Sequence, residues 1–450
     1  MDDQQLPPAE CRGVWYQCGK ANLLPGQGAV YSGPMATYCI WHRPMAIFRP
    51  EVNRSFFVYG NADNSPTISF YDHASGSFAY PVVLGSNPDG DAHRNPTLLI
   101  DEAGYLHVFY GAHGHQTHVL RSERPWDITA WAEAAQIEDP GTSYPQPWQL
   151  LPGEIFVSYR QAPGWRFRMS ADGARSWRDP VDIVNFGCPD DARGCAECSI
   201  YGITVAEGGD YPRRLHFAWS RLGGGTPEEI ESKHLWARRY NVYYACSDDG
   251  GSTWKRSDGS RYELPINEEQ AEKIWDCGQR GIWLTDIQVD SRGNPYILFL
   301  DSRVETFEAR WMVARRVPDG WAFTEVTRSD HMYDAGALIA IADDDLRIWG
   351  PTTDVQPHED GGDIDEWRST DGGATWELAR HLTSGSRYSH NHVKPVMGHQ
   401  LGTGDLRAIW NYGDSMSPPE TRDVRLYFYG EKQHGPREIP FPAGPDSQEA

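Results

Sequence analysis

The chain has 450 residues, with 63 acidic against 41 basic side chains and a formal charge of −22. That balance excludes nucleic acid or an anionic membrane as a whole-surface partner, although a few arginines focused in one cleft can outweigh it locally. A mean hydropathy of −0.61 leaves no apolar run long enough to span a bilayer, and 18 Trp, 22 Tyr and 15 Phe exclude an unfolded polymer.

The 45 glycines and 32 prolines suit many short strands joined by tight turns. Helical periodicity is almost absent; the best helical candidate, residues 228–239, reads as a short surface insertion. The expected class is all-β. The charged start Met1-Asp-Asp-Gln-Gln is not a signal-peptide pattern.

In chain order, the first polar cluster is Trp41-His42-Arg43-Pro44. Asp91-Ala-His93-Arg94-Asn95-Pro96 follows, just before the apolar run Thr97 to Ile100. Asp101-Glu-Ala-Gly then reads as a turn feeding the strand Tyr105 to Tyr110, and Tyr110-Gly-Ala-His113-Gly-His115 closes it. Glycines beside His113 would let the imidazole and backbone approach a ligand closely. Two histidine-bearing loops flanking one strand pair outweigh the bland reading that suits any lone histidine. Next come Thr142-Ser-Tyr144-Pro-Gln146 and, after the turn Leu151-Pro-Gly-Glu, the strand end Tyr159-Arg160. The competing readings here are a buried phenol with a satisfied hydroxyl and a rim ion pair.

Further on, Ser170-Ala-Asp-Gly-Ala-Arg-Ser-Trp177 is a degraded copy of a pattern that recurs at Ser247-Asp-Asp-Gly-Gly-Ser-Thr-Trp254 and Ser369-Thr-Asp-Gly-Gly-Ala-Thr-Trp376. Ser and Asp side chains can bond the turn backbone, Gly takes a positive φ, and Trp covers the turn. These starts, 77 and 122 residues apart, point to non-adjacent or enlarged repeat units. Arg238-Arg239-Tyr240-Asn241 groups with the Trp41 cluster, and Asp290-Ser-Arg-Gly repeats the turn-then-strand pattern. His390-Asn-His392 has a metal-like composition but no third ligand at a recognisable spacing, and reads as strand-end structure.

There are eight cysteines: Cys11, Cys18, Cys39, Cys188, Cys195, Cys198, Cys246 and Cys277. Their even number permits disulfides without fixing a pairing. Cys188, Cys195 and Cys198 share one loop, and Cys195-x-x-Cys198 resembles half of a zinc site. There is no nucleophile elbow, Walker loop or dinucleotide fingerprint.

The recurring Ser/Asp/Gly/Trp turns resemble the Asp-box of sialidase-like β-propellers. The runs around Asp91, Tyr110, Ser143, Tyr159-Arg160 and Arg239-Tyr-Asn-Val-Tyr-Tyr244 resemble BNR-repeat polysaccharide lyases, particularly ulvan lyases. The likeness spans roughly residues 39–430 and is sharp in those short motifs. It implies one seven-bladed β-propeller domain over residues 1–450, with ends before about residue 11 and after about 435 expected to be loose. In that group two histidines stand about twenty residues apart, followed by a tyrosine and an arginine sixteen apart. Here His93 and His113 are separated by 20, and Tyr144 and Arg160 by 16.

The resemblance implies β-elimination at a 4-O-substituted uronate. A lyase must neutralise the uronate carboxylate, reach the C5 proton with a base and reach O4 with an acid. The catalytic candidates are therefore His93, His113, Tyr144 and Arg160. Arg160 would neutralise the carboxylate, helped by His93 or Asn95, with Tyr144 and His113 as the acid–base pair. The division of roles among His93, His113 and Tyr144 stays open. A tyrosine beside an arginine is expected to ionise more readily. Further substrate contacts are assigned to Asn95, Arg239 and His42, with Tyr201 or Tyr240 as an additional tyrosine.

The expected partner is an anionic polysaccharide, with no nucleic acid and no membrane. No cofactor is needed for elimination, and a structural zinc or calcium is left open. An extracellular or periplasmic location follows from the polymeric substrate. Competing readings are a rhamnose–glucuronate lyase, an α-L-rhamnosidase relying on His42, a sialidase disfavoured by the missing arginine triad, and a non-catalytic carbohydrate-binding propeller.

Overall fold

A computed structural model describes residues 6–20, 30–187, 199–223, 238–303, 308–352, 361–398, 406–415, 423–430 and 434–444. Among these, strands dominate, and the only helical elements are two three-residue 3-10 turns, Ala9–Cys11 and Ala92–Arg94. The all-β expectation holds. The cysteine loop with Cys188, Cys195 and Cys198 lies outside the described residues. So does the helix candidate, apart from Arg238 and from Arg239, which opens a strand.

The strands follow a repeated plan. Three separate sheets each run through four strands in chain order: Ile200–Gly208 to Glu272–Trp275, Gly281–Val289 to Gly320–Ser329, and Ala337–Ala342 to Glu377–His381. A nine-stranded sheet joins the unit beginning at Ala46–Arg49 to the unit beginning at Ser389–Met397. The join is a parallel pairing of Val396 with Ala46 and Met397 with Ile47. An eight-stranded sheet joins the units beginning at Thr97–Ile100 and Ile137–Gln149. Apart from a two-stranded antiparallel sheet of Trp15–Lys20 and Val30–Pro34, the described strands divide into seven antiparallel units, and the first strand of each lies against the first strand of the next.

Burial explains the composition of each strand. Pro295–Ser302 (PYILFLDS), second in its unit, is buried throughout and reads as a near-continuous apolar run, because both of its faces are covered. Glu377–His381, at an outer edge, is exposed throughout and carries three charged or polar side chains, Glu377, Arg380 and His381. The largest fully buried side chains include Trp165, Trp219, Trp283, Trp311, Trp349 and Trp410, so tryptophan fills much of the space between sheets.

The three recurring turns share one hydrogen-bond pattern. In each, the serine hydroxyl bonds the aspartate two residues on, at 2.8 Å. That aspartate accepts the backbone N–H and the hydroxyl of the residue four further on, as in Thr253 to Asp249 at 2.8 and 2.7 Å. All three follow the third strand of a unit. Those at 170–177 and 247–254 lie in neighbouring units, and the next unit lacks the turn, which accounts for the unequal spacing. At the chain ends, Arg12 Nε donates to the Pro7 carbonyl at 2.8 Å, and Ile439 is buried in the cluster that includes Phe428.

Candidate functional site

Residues 35–44 form an irregular segment that is buried from end to end. Buried backbone without a ladder needs partners from elsewhere, and distant side chains supply them. Asn95 Nδ2 donates to the carbonyls of Met35, Ala36 and Tyr38 at 2.8, 3.2 and 2.8 Å. Lys394 Nζ donates to those of Cys39 and His42 at 2.5 and 3.1 Å. Gln146 Nε2 donates to that of Trp41 at 3.1 Å and to Gly202 O at 2.9 Å. This segment is the floor of the site.

Asn95 therefore belongs to the support of the floor, with its amide nitrogen committed to three carbonyls. His42 is fully buried as well. Its Nδ1 accepts the Cys39 N–H at 2.8 Å and its Nε2 lies 2.9 Å from the His93 carbonyl, so it donates there. Burial pushes its pKa down to about 3. A neutral imidazole with both nitrogens committed corrects the expectation that His42 contacts substrate; it packs its ring on Tyr144, 5.5 Å between centroids.

Above the floor, Asp91 caps the short turn Ala92–Arg94 by accepting the His93 N–H at 2.9 Å. The same carboxylate holds two imidazoles: Oδ1 lies 2.6 Å from His93 Nδ1 and Oδ2 lies 2.5 Å from His113 Nδ1. The two rings stack at 4.1 Å with an interplanar angle of 12°. Burial would raise the Asp91 carboxyl, but hydrogen bonds from His113 and then His93 outweigh it and hold it well below the usual carboxylate range. Burial pushes His93 down to about 4. On its far side, His93 Nε2 lies 2.9 Å from the Tyr38 hydroxyl.

The spacing of 16 residues between Tyr144 and Arg160 has a geometric origin. His113 pairs with Ser143 across one strand boundary, and Ser143 pairs with Arg160 across the next. The three residues form one row across three strands, and opposed residues share a face. Arg160 Nη2 donates to Ser143 Oγ at 3.1 Å. The row lies where two repeat units merge into the eight-stranded sheet.

Tyr144 follows Ser143 at a register break between Ser143 and Gln146 and has φ of 59°. A left-handed tyrosine is uncommon, and bulges of this kind redirect a side chain. Here the ring turns inward over Trp41, 5.2 Å between centroids, and beneath the Arg160 guanidinium, 4.7 Å from the ring centre. Gln146 Oε1 secures the far side of the bulge by accepting Thr204 N–H at 2.7 Å.

Tyr201 completes the cluster. Arg160 stands 4.8 Å and Arg239 4.1 Å from its ring centre. Burial would raise its phenol, yet Arg160 and then Arg239 outweigh that and lower it below the ordinary 10. Tyr144 behaves oppositely: burial pushes it well above 10 and Arg160 offsets only part of the shift. The sequence-based expectation of an easily ionised Tyr144 beside Arg160 is thus corrected, since desolvation wins there and charge wins at Tyr201. Tyr240 does not join the cluster. Successive residues of a strand point to opposite faces, and with Arg239 turned to Tyr201, Tyr240 stands between Arg221 and Arg238, 5.9 and 5.7 Å away.

Sequence reasoning left two participants unassigned. Asp91 lies in the run Asp91-Ala-His93-Arg94-Asn95-Pro96, where an aspartate two residues before a histidine is the signal that marks it. Tyr38 carried none, because its approach to His93 depends on the whole fold. Cys11, Cys39, Cys246 and Cys277 are free thiols, and burial pushes Cys39 up to about 12, so it is no nucleophile. His390 is engaged by Trp410 Nε1 at 2.9 Å and Ser386 Oγ at 3.0 Å, as strand-end structure.

Asp91, His93 and His113 also form a convergent set of potential metal ligands. A zinc ion would need all three ligand atoms about 2.0–2.2 Å from itself. The Nδ1 atoms instead meet the carboxylate oxygens at hydrogen-bonding distance, so holding an ion would require this clamp to open. A groove of about 770 Å³ lies at the opposite strand ends, lined by Arg214, Tyr244, Asp290, Tyr296 and Arg316 among others. None of the candidate residues faces it.

Comparison with known proteins gives concordant results. An ulvan lyase of Pseudoalteromonas sp. (strain PLSV) is 24% identical over 278 residues, 54% of this chain and 55% of the relative. An ulvan lyase of Nonlabens ulvanivorans is 24% identical over 364 residues, covering 72% and 74%. The chain spans little more than half the length of the first of these. Among solved structures, a PL25 ulvan lyase bound to -[GlcA(1-4)Rha3S]- superposes with a TM-score of 0.73 at 18% identity, over 96% of this chain and 99% of that one. Polysaccharide lyase Uly1 superposes with a TM-score of 0.61 at 13% identity, over 94% and 98%. These likenesses carry the all-β fold. The profile of BNR repeat-containing family members matches residues 54–329, well over half of the sequence and inclusive of every residue from Asp91 to Arg239 in the cluster. The chain belongs to the BNR repeat-containing family.

Proposed function

We propose that this protein is a polysaccharide lyase that cleaves rhamnose–uronate linkages by β-elimination, with ulvan as its substrate. We further read the seven sheet units as blades of one propeller domain, supported by first strands that touch in sequence and by the Val396–Ala46 pairing between the last unit and the first. The observation that carries the functional reading is the row His113–Ser143–Arg160 with Tyr144 folded beneath the guanidinium. It sets a base, a cation and a phenol side by side.

The chemistry follows from these groups. The substrate carboxylate binds Arg160, whose charge-assisted hydrogen bonds contribute about 1.5–3 kcal/mol each and strengthen as negative charge builds. His113 Nε2 takes the C5 proton. The C5–H electron pair becomes the C4=C5 π bond, the C4–O4 bond breaks, and O4 receives the Tyr144 phenol proton. Transfer of the proton from His113 back to Tyr144, directly or through solvent, restores the site. Tyr201, flanked by Arg160 and Arg239, braces both guanidiniums. This route uses no redox cofactor. An extracellular or periplasmic location accompanies a polymeric substrate of this kind.

The hydrolase reading that relied on His42 loses its support, because that ring is buried with both nitrogens committed. The test is ultraviolet absorbance of the unsaturated uronate on incubation with ulvan, beside a Tyr144→Phe variant. The variant should lose about 10²–10⁴-fold in kcat. Release of free rhamnose without the absorbance would move the assignment to a hydrolase. Neither signal would leave a binding propeller.

A further inference from the structure

We propose that Asp91 is a positioning residue for this elimination and that it gives the two histidines different roles, with His113 the proton acceptor and His93 its support. The inference rests on the lyase reading of the site.

Ionised, Asp91 only accepts hydrogen bonds. Both Nδ1 atoms within 2.6 Å of it must therefore carry hydrogen, which fixes both rings as Nδ1–H tautomers with lone pairs on Nε2. The lone pair of His93 is already used, since Tyr38 O–H must donate to it across 2.9 Å. His93 has no free nitrogen. The His113 side chain is about twice as exposed, 30% against 16%, and its Nε2 has no partner among the described residues. Only His113 presents a bare nitrogen.

The stack adds a second function. With the rings 4.1 Å apart and within 12° of parallel, His93 fixes the plane of His113. After His113 takes a proton, the Asp91 carboxylate faces the new imidazolium directly, and a neutral His93 avoids a second positive charge in the stack. Other groups facing His113 are the Tyr144 phenol and, through the row, the Arg160 guanidinium. Nearby on its own strand His115 pairs loosely with Asp89 at 3.7 Å. None of these replaces Asp91, because none accepts from Nδ1.

The experiment compares wild type with Asp91→Asn on ulvan across pH, following the unsaturated product. An asparagine can accept from one imidazole only and presents N–H to the other. Expected is a fall in kcat of about 100-fold or more, as for other orienting carboxylates, with KM changed less than about threefold. Removing the anion also disfavours the imidazolium, so the acidic limb of the rate profile should move to lower pH. Wild-type kcat with an unmoved profile would overturn the proposal. Should Asp91→Asn fail to fold, nitrogen NMR of histidine-labelled wild type decides instead: both rings as Nδ1–H tautomers are expected, and an Nε2–H tautomer at His113 overturns the role. Absence of the unsaturated product from wild type would refute the lyase reading, and the NMR result would still report on the clamp.

Discussion

The Arg160 guanidinium lies 4.8 Å from the centre of the Tyr201 ring, and with Arg239 on the same ring it lowers the Tyr201 phenol despite full burial. Tyr144, 4.7 Å from the same guanidinium, is raised. The two phenols thus separate in acidity because both guanidiniums also hydrogen-bond the Tyr201 phenol, whereas at Tyr144 the charges of Arg160 and Arg239 offset only part of the burial. An ultraviolet phenolate titration should show one tyrosine ionising below the ordinary 10. That transition should vanish in Tyr201→Phe and move upward in Arg160→Gln. Persistence of the transition in Tyr201→Phe would contradict the account.

A second prediction concerns pH and stability. Burial pushes His42, His331 and His392 down to about 3 and His93 to about 4. In the unfolded chain each titrates near 6.5, so between those values the unfolded state binds more protons. The stability tied to their neutral forms is complete above about pH 6.5 and is lost as pH falls toward 4. The Tm should decline steadily through that window. His392→Leu, which removes a ring whose nitrogens have no partner among the described residues, should flatten the decline; an unchanged slope would refute its contribution.

The third prediction tests how the floor is anchored. Arg43 Nη1 meets Asp286 Oδ1 at 2.6 Å with both side chains buried, and Asp286 Oδ2 also accepts the Leu338 N–H at 2.9 Å. This links the floor segment to two distant sheets. Breaking one side of a buried pair leaves an uncompensated charge and costs about 3–5 kcal/mol. Arg43→Met should lower stability in denaturant by that amount, and the double variant Arg43→Met, Asp286→Leu should cost less than the two single changes added together.

A fourth prediction separates scaffold from chemistry. The turn at 247–254 follows the strand Arg239–Ser247, whose first residue is at the site, so the turn lies roughly 25 Å away at about 3.3 Å per residue. Asp249→Ala removes the acceptor of the Thr253 N–H and hydroxyl bonds and should cost about 1–3 kcal/mol of stability. Its kcat and KM on ulvan should match wild type. A large loss of kcat in a folded variant would show that these turns reach the chemistry.

Much of this architecture was legible in the sequence. Turn signals at Asp101 and Asp290 are followed by the strands Leu106–Tyr110 and Pro295–Ser302, because an aspartate that accepts two turn N–H groups acts within a few residues. The Tyr144/Arg160 spacing is legible for a related reason: Ser143, the residue before Tyr144, pairs with Arg160 across neighbouring strands, whereas His93 and His113 meet through the Asp91 carboxylate between them. What failed depends on long-range burial. His42 resembles a ligand-binding histidine until the segment around it is seen to be enclosed. Asn95 looks like a polar contact until three carbonyls from residues 35–38 converge on it. Tyr240 and Tyr201 are equal in sequence, and the facing of Arg239 decides between them. The relative acidity of Tyr144 and Tyr201 depends on a second arginine, Arg239, 79 residues after Arg160.

In the proposed reaction a uronate linkage is broken by elimination, without addition of water. The most direct measurement is digestion of ulvan in heavy-oxygen water, with the products examined by mass spectrometry and proton NMR. Elimination predicts a vinyl proton on the new non-reducing end and no heavy oxygen acquired at cleavage. Incorporation of one heavy oxygen per bond broken, with no vinyl signal, would contradict the account.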